Sequence, residues 1–278
     1  MQRTWLVGGL SAAGYVGSIV ALNKAWYQQY EKTSFHTFND AGEWLQMDKV
    51  GHGWTAYNLS RGSAASWKWA VWDRKKAIWT GSLAGFTYLS TIEFLDAHSA
   101  GWGWSWTDMG ANFLGAAFFA AQELTWNEQR IQFKFSVHQN HYDPLLKPRA
   151  NTLFGATLPE HLLKDYNAQT YWLGFNLQSL LPQSNLPDWL NVAVGYGAGG
   201  LWGGFENRAY DKEGNVTFDR TDIRRYRQWY IAPDIDLTKI KTRSKFLRTA
   251  LAALNAFKFP APTLEFSQGK FKGHWLYF

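Results

Sequence analysis

Asp48 and His52 stand four residues apart with Lys49 between them, Glu93 and Asp96 stand three apart, and Asp108 and Asn112 stand four apart. On a helix, residues at these spacings are neighbours on one surface, so each set can present its polar groups together. Carboxylates around an imidazole in an apolar bundle can share a proton, activate a water or hold a divalent metal. They can also form a polar knot, in which Lys49 neutralises Asp48 or Asp96 and His52 is hydrogen-bonded, fixing how the helices pack. The knot is the preferred reading, and a proton-transfer or substrate site with His52 as general acid or base is the second. A metal site comes third and no resident cofactor is expected, because Lys49 would repel a cation and the Glu-x-x-His pattern of bundle-core metal sites is missing.

The elements that must position these residues are helices. All eight prolines lie at or beyond Pro144, whereas twelve of the seventeen tryptophans lie at or before Trp126, so the chain has two halves of different chemistry. A Pro-free half suits long helices, whose interiors Pro would break. Four are expected, over about 5–30, 41–72, 76–97 and 105–130, with Asp73-Arg74-Lys75-Lys76 as a polar turn between the second and third. Ser105 or Thr107 can cap the fourth, which places Asp108 in a first turn whose dipole favours a negative charge. The Gly- and Trp-rich stretch Ser99–Trp106 forms a loop over the bundle end.

The first helix differs from the others. Trp5 to Leu22 is free of charge, about 27 Å as a helix against a hydrocarbon core of about 30 Å. Arg3 precedes it, and Lys24, Trp26, Tyr27 and Tyr30 follow as interfacial anchors. A retained membrane helix is preferred to a cleaved signal, since the segment before it carries a single Arg and no small-residue cleavage site leads into a polar start. The stretches Ala77–Ile92 and Met109–Gln122 are also uncharged but too short for a full span.

The second half reads as strands and turns, with domains expected over 1–140 and 141–278 and a turn-rich link near 138–150. Ile131–His138 alternates apolar and polar residues, the mark of a strand with one wet face. Further strands are expected at 171–177, 190–196, 226–237, 263–266 and 273–278, the last two forming a hairpin around Gln-Gly-Lys. Helices are expected at 158–166 and 245–258. The latter is a basic amphipathic helix, with Phe246, Leu247, Ala250, Leu251, Leu254 and Phe257 on one stripe. Asp188, Asp234 and Asp236 read as turn and strand-edge charges, and Gly195–Gly204 as a loop or close backbone contact rather than a nucleotide loop. The fold class is therefore α+β: an N-terminal membrane-associated four-helix bundle, then a β-rich region with an amphipathic helix.

Composition narrows the function classes. The chain has 278 residues, a net charge of +6, 18% charged and 18% aromatic residues, and no cysteine. Disulfide frameworks, thiol catalysis and cysteine zinc sites are excluded. A nucleic-acid partner is not expected, because the small excess of charge is not concentrated in any basic run.

Three segments in order carry a resemblance: Asp48-Lys49-Val50-Gly51-His52, then Glu93-Phe94-Leu95-Asp96, then Ser105-Trp106-Thr107-Asp108 with Asn112 and Gly115. Together they resemble the YfiM-like family of predicted periplasmic lipoproteins, domain of unknown function 2279, with a distant similarity to the VanZ-like membrane proteins. The segments Ser34–Asp40, Arg225–Gln228 and Pro260–Pro262 resemble the longer, Bacteroidota-type version. The resemblance implies an envelope location, with the outer-membrane or periplasmic side favoured, and no assigned reaction. Lipidation does not carry over, because the chain has no cysteine to accept a lipid. The expected function is a non-catalytic, membrane-anchored envelope protein that meets lipid and a larger envelope assembly. The alternative is a membrane-interface enzyme acting on an amphiphilic or lipid-linked substrate.

Overall fold

The computed structural model describes residues 2–27 and 30–278, leaving aside the side chains of Ala25 and Trp26, so the anchor role expected of Trp26 lies outside the described residues. Contacts divide the chain into two compact units, one of residues up to Ala41 with Lys49–Gln129, the other of Gly42–Asp48 with Arg130–Phe278.

The first unit is helical: α1 (Gln2–Leu22), α2 (Met47–Trp69, counted here from Lys49), α3 (Arg74–Asp96) and α4 (Trp106–Trp126). Helix α1 buries one residue, Val7, and turns Leu6, Leu10, Val16 and Val20 outward. It is long and apolar enough to cross a membrane. Among its described polar contacts, Arg3 sits over the Trp69 ring at 5.0 Å and reaches the Trp69 carbonyl at 3.5 Å, and the Tyr15 hydroxyl bonds that of Thr91.

Helices α2, α3 and α4 approach closely because glycines face them. A Cβ on Gly85 of α3 would stand 2.8 Å from the Ala56 carbonyl oxygen of α2, and one on Gly115 of α4 would run into the Gly53 carbonyl. Backbone contact this tight leaves no room for any side chain. The Asp73–Lys76 tetrad is a helix start rather than a turn: Asp73 accepts from the Lys76 amide at 3.1 Å, and Arg74 is already helical. Capping outweighs the turn reading because an Asp before a long helix satisfies an orphan donor. Ser105 caps α4 by accepting from the Asp108 amide at 3.0 Å.

The second unit is built on a six-stranded antiparallel sheet in the order β1-β2-β3-β6-β7-β8: β1 (Ile131–Val137), β2 (Gln169–Asn176), β3 (Leu190–Gly199), β6 (Tyr226–Ile235), β7 (Ala261–Ser267) and β8 (Lys270–Tyr277). Around it are α5 (Lys147–Phe154), α6 (Leu158–Lys164), α7 (Leu177–Leu180), α8 (Lys245–Leu254) and a hairpin of β4 (Arg208–Tyr210) and β5 (Val216–Asp219). Helix α5 falls in the expected link, since Pro148 occupies a first-turn position where its missing N–H costs nothing.

The sheet is polar on its covered face. Gln132, Lys134 and Ser136, which alternation assigns to water, are buried, and the register places them with Thr170, Trp172, Asn176, Asn191, Tyr230, Asp234 and Glu265. Lys134 Nζ is 2.7 Å and Lys258 Nζ 3.9 Å from the Asp234 carboxylate. Asp234 and Asp236 are therefore interior groups and not strand-edge charges, while Asp188 stays exposed. Alternation gives the period of a strand but not which face is inside.

The sheet also curls. Four strand steps separate β2 from β8, about 19 Å if flat, yet the Tyr277 hydroxyl lies 3.0 Å from that of Thr170 and 2.7 Å from that of Tyr230. Gly195 permits the curl, because a Cβ there would stand 2.7 Å from the Trp172 ring. Along the free side of β1, residues 256–258 add two backbone bonds, Phe135 N to Ala256 O at 3.0 Å and Lys258 N to Phe135 O at 2.8 Å.

The segment Gly42–Asp48 is strapped to this unit. Trp44, Leu45 and Gln46 have φ of 48°, 51° and 66°, a left-handed run that costs roughly 1–2 kcal/mol per residue. The strap is held by Trp44 N to Gly204 O at 2.7 Å, by the Tyr196 hydroxyl on the Leu45 carbonyl and by Arg227 Nη2 on Gln46 Oε1 at 2.6 Å.

Candidate functional site

The first unit gathers Lys49 and His52 from the start of α2, Glu93 from the last turn of α3, and Asp108 and Asn112 from the first turns of α4. To these it adds Asp40, from the segment before α2, which no helical spacing could have placed. Lys49 Nζ is 2.6 Å from Asp40 Oδ2 and 2.9 Å from Asp108 Oδ1. Asp40 Oδ1 also accepts from Ser105 Oγ at 2.6 Å and Thr107 Oγ1 at 2.8 Å. Burial by itself would raise the Asp40 pKa, but its hydrogen bonds with Asp108, Lys49, Ser105 and Thr107 outweigh this and hold it at about 2.

Beside this centre lies a second. His52 Nδ1 is 3.0 Å from Asn112 Oδ1; that oxygen is an acceptor, so the imidazole donates. Glu93 is 1% exposed, and its Oε1 is 3.6 Å from the same His52 nitrogen. Its Oε2 accepts from the Ser105 amide at 3.3 Å. Desolvation lifts the Glu93 pKa to about 8, with Asp108 and Asp96 adding to the rise and His52 opposing it. At neutral pH the group is therefore largely protonated, and Oε1, which has no hydrogen bond among the described residues, is the oxygen available for the proton.

The remaining predicted residues have hydrogen-bond partners of their own. Asp96 accepts from the Tyr27 hydroxyl at 2.8 Å. Asp48 is counted with the second unit, where it accepts from the Tyr166 hydroxyl at 2.7 Å.

Chemically, the Lys49 ammonium supplies the cation that two facing carboxylates require, and His52 with Glu93 can share or pass a proton. The stretch from Ala97 to Trp104 is pinned to the segment before Asp40 by His36 N to Ala97 O at 3.1 Å and Trp104 N to His36 O at 2.9 Å. This pinning fixes where Asp40 meets Ser105.

In the second unit a cavity of about 480 Å³ is lined in part by His138, Tyr142, His161 and Asp165. Tyr142 donates to Asp165 at 2.7 Å, and burial lowers the His138 pKa. Residues 138–150, expected as a turn-rich link, line part of this cavity, and His138 and His141 are the sequence signal that points to it.

Residues 36–123 match the model of a family described as predicted periplasmic lipoproteins, domain of unknown function 2279. Every residue of the two centres falls inside that segment. No curated protein and no solved structure matches the chain.

Proposed function

From residues 36–123, which carry the domain of a predicted periplasmic lipoprotein family, we propose that this chain is a non-catalytic cell-envelope protein. Its first helix holds it to a membrane, and its buried polar cluster locks the helices that follow. The observation that carries this reading is Lys49 set between Asp40 and Asp108, with Ser105 and Thr107 completing the bonds to Asp40. Polar atoms committed to one another in this way specify one packing of the helices. A substrate would have to displace them.

The chain has no cysteine for the family's lipid attachment, and the outward apolar side of α1 supports an anchor of another kind. A protein so held serves as a component or accessory of an envelope assembly. Alkaline carbonate extraction of cell membranes tests the anchor. The full chain is expected to stay in the pellet, and its release would overturn the reading.

One observation favours a second reading: a protonated, buried Glu93 beside His52 is an acid and base pair of the type enzymes use. His52→Ala and Glu93→Gln separate the two. Under the structural reading each variant loses stability in proportion to any loss of envelope phenotype. A phenotype lost with stability intact would favour an enzyme acting on an amphiphilic substrate.

A further inference from the structure

The sheet of the second unit is built inside out. Its covered face holds a lysine, a carboxylate and a second lysine in mutual contact, together with amides, hydroxyls and tyrosines. Its other face, read along the register, carries Ile131, Phe133, Phe135 and Val137 on β1; Leu173 and Phe175 on β2; Val192 and Val194 on β3; Trp229 and Ile231 on β6; Leu264 and Phe266 on β7; and Phe271 on β8, while Gln169, Tyr171, Tyr196 and Arg227 share this face at one end, where Tyr196 and Arg227 hold the strap. Trp275 of β8 is 92% exposed, Phe271 71% and Trp229 49%. A sheet that keeps one face in water puts its apolar side inward. Apolar outward and polar inward is the arrangement of sheets that meet lipid.

A second feature continues this face. No residue of α8 is buried, and Phe246 is 82% exposed. Basic residues gather at the start of the same helix, Lys241 and Arg243 before it and Lys245 and Arg248 in its first turn and a half. Just past its end, Phe257 packs at 6.4 Å on the ring of Phe135, which is 9% exposed, so the helix adjoins the β1 side of this face. An apolar stripe bordered by cations fits an anionic bilayer surface, with the acyl chains taking the rings and the headgroups taking the ammonium and guanidinium groups.

We propose that the outward apolar face of the curled sheet, together with α8, seats in the acyl region of an anionic lipid bilayer. This goes beyond the reading above, which assigns the anchor to α1. It also accounts for the polar interior. A sheet turned toward lipid gains nothing from an apolar inside, so the inner face can be filled by groups that satisfy one another.

The native chain has no cysteine, so single cysteines carry a label without background. The full chain with Trp229→Cys, Phe266→Cys or Phe271→Cys would be labelled with a polarity-sensitive fluorophore in vesicles of phosphatidylethanolamine and phosphatidylglycerol. Leu10→Cys reports α1, and Glu213→Cys reports the exposed β4–β5 turn. Doxyl-labelled lipid is expected to remove most of the fluorescence at the three sheet positions and little at Glu213→Cys, and aqueous iodide should show the reverse. If one label unfolds the chain by circular dichroism, Ile231→Cys and Leu264→Cys report the same face. Doxyl quenching at Leu10→Cys with iodide quenching at the sheet positions would overturn this inference and leave the α1 anchor standing. Absence of doxyl quenching at Leu10→Cys would instead count against that anchor. Sheet labels shielded from both quenchers, increasingly so at higher protein concentration, would mean that a second copy covers the face, and would also overturn the inference.

Discussion

Lys134 Nζ lies 2.7 Å from Oδ2 of Asp234, on strands β1 and β6 that do not pair with each other, and neither side chain has any exposed surface. The pair crosses the covered face of a curled sheet, and Lys258 approaches the same carboxylate from the segment after α8. A charge left alone there has no water to turn to.

Asp234→Asn should therefore destabilise the second unit by about 3–5 kcal/mol, because two buried ammonium groups lose their counter-charge. Urea unfolding in detergent, followed by circular dichroism, would read this. A loss below about 1 kcal/mol would mean that the cluster is hydrated, since that is the worth of an exposed pair. Replacing Lys134, Asp234 and Lys258 together by Met, Leu and Met should cost less than Asp234→Asn alone.

Lys49→Met should have an effect of the same kind in the first unit. It leaves Asp40 and Asp108 facing each other without the ammonium, for an expected loss of about 3 kcal/mol. Adding Asp40→Asn should recover part of that loss. A double variant no better than Lys49→Met would show that the like charges were not the cause.

Glu93 makes stability depend on pH with a definite sign. Its folded pKa of about 8 lies above the ordinary 4.5, so the folded chain holds a proton that the unfolded chain releases. The stabilisation is full below pH 4.5 and is lost as pH rises to about 8. Asp40 acts in the opposite direction: its pKa is lowered from 3.8 to about 2, so its contribution is present above pH 3.8 and lost as pH falls toward 2. Glu93→Gln should flatten the decline between pH 4.5 and 8 and leave the acid limb unchanged. A wild-type chain equally stable across that upper window would contradict the buried, protonated Glu93.

Gly115→Ala tests the contact between α2 and α4. Its new methyl would run into the Gly53 carbonyl oxygen, and overpacking of this kind costs about 1–3 kcal/mol. Gly110→Ala, on the same helix with open space at its Cβ, should be neutral or slightly stabilising. Thermal unfolding of the two variants side by side gives the comparison.

The helices were legible because long Pro-free segments with caps leave few alternatives, and helical spacing put His52, Asp108 and Asn112 on faces that meet. Asp40 was not legible, since it arrives from a loop and its place depends on the pinning of His36 to Ala97 and Trp104. Strands β1, β2, β3, β6, β7 and β8 were visible from alternation and turns. The burial of Lys134 and Asp234 was hidden, because the same alternation serves a face in water and a face in lipid. The β4–β5 hairpin escaped notice because its strands are short and largely exposed, so they show little alternation.

The left-handed strap at Trp44–Gln46 has a consequence for the order of events when the chain is made. Its partners Tyr196 and Arg227 lie 151 and 181 residues further along. A ribosome releases the strap long before it has made the sites that hold it, so Trp44, Leu45 and Gln46 have no reason to adopt their costly backbone during that interval. The segment leading into α2 thus emerges well before the strands that hold it and settles only after them.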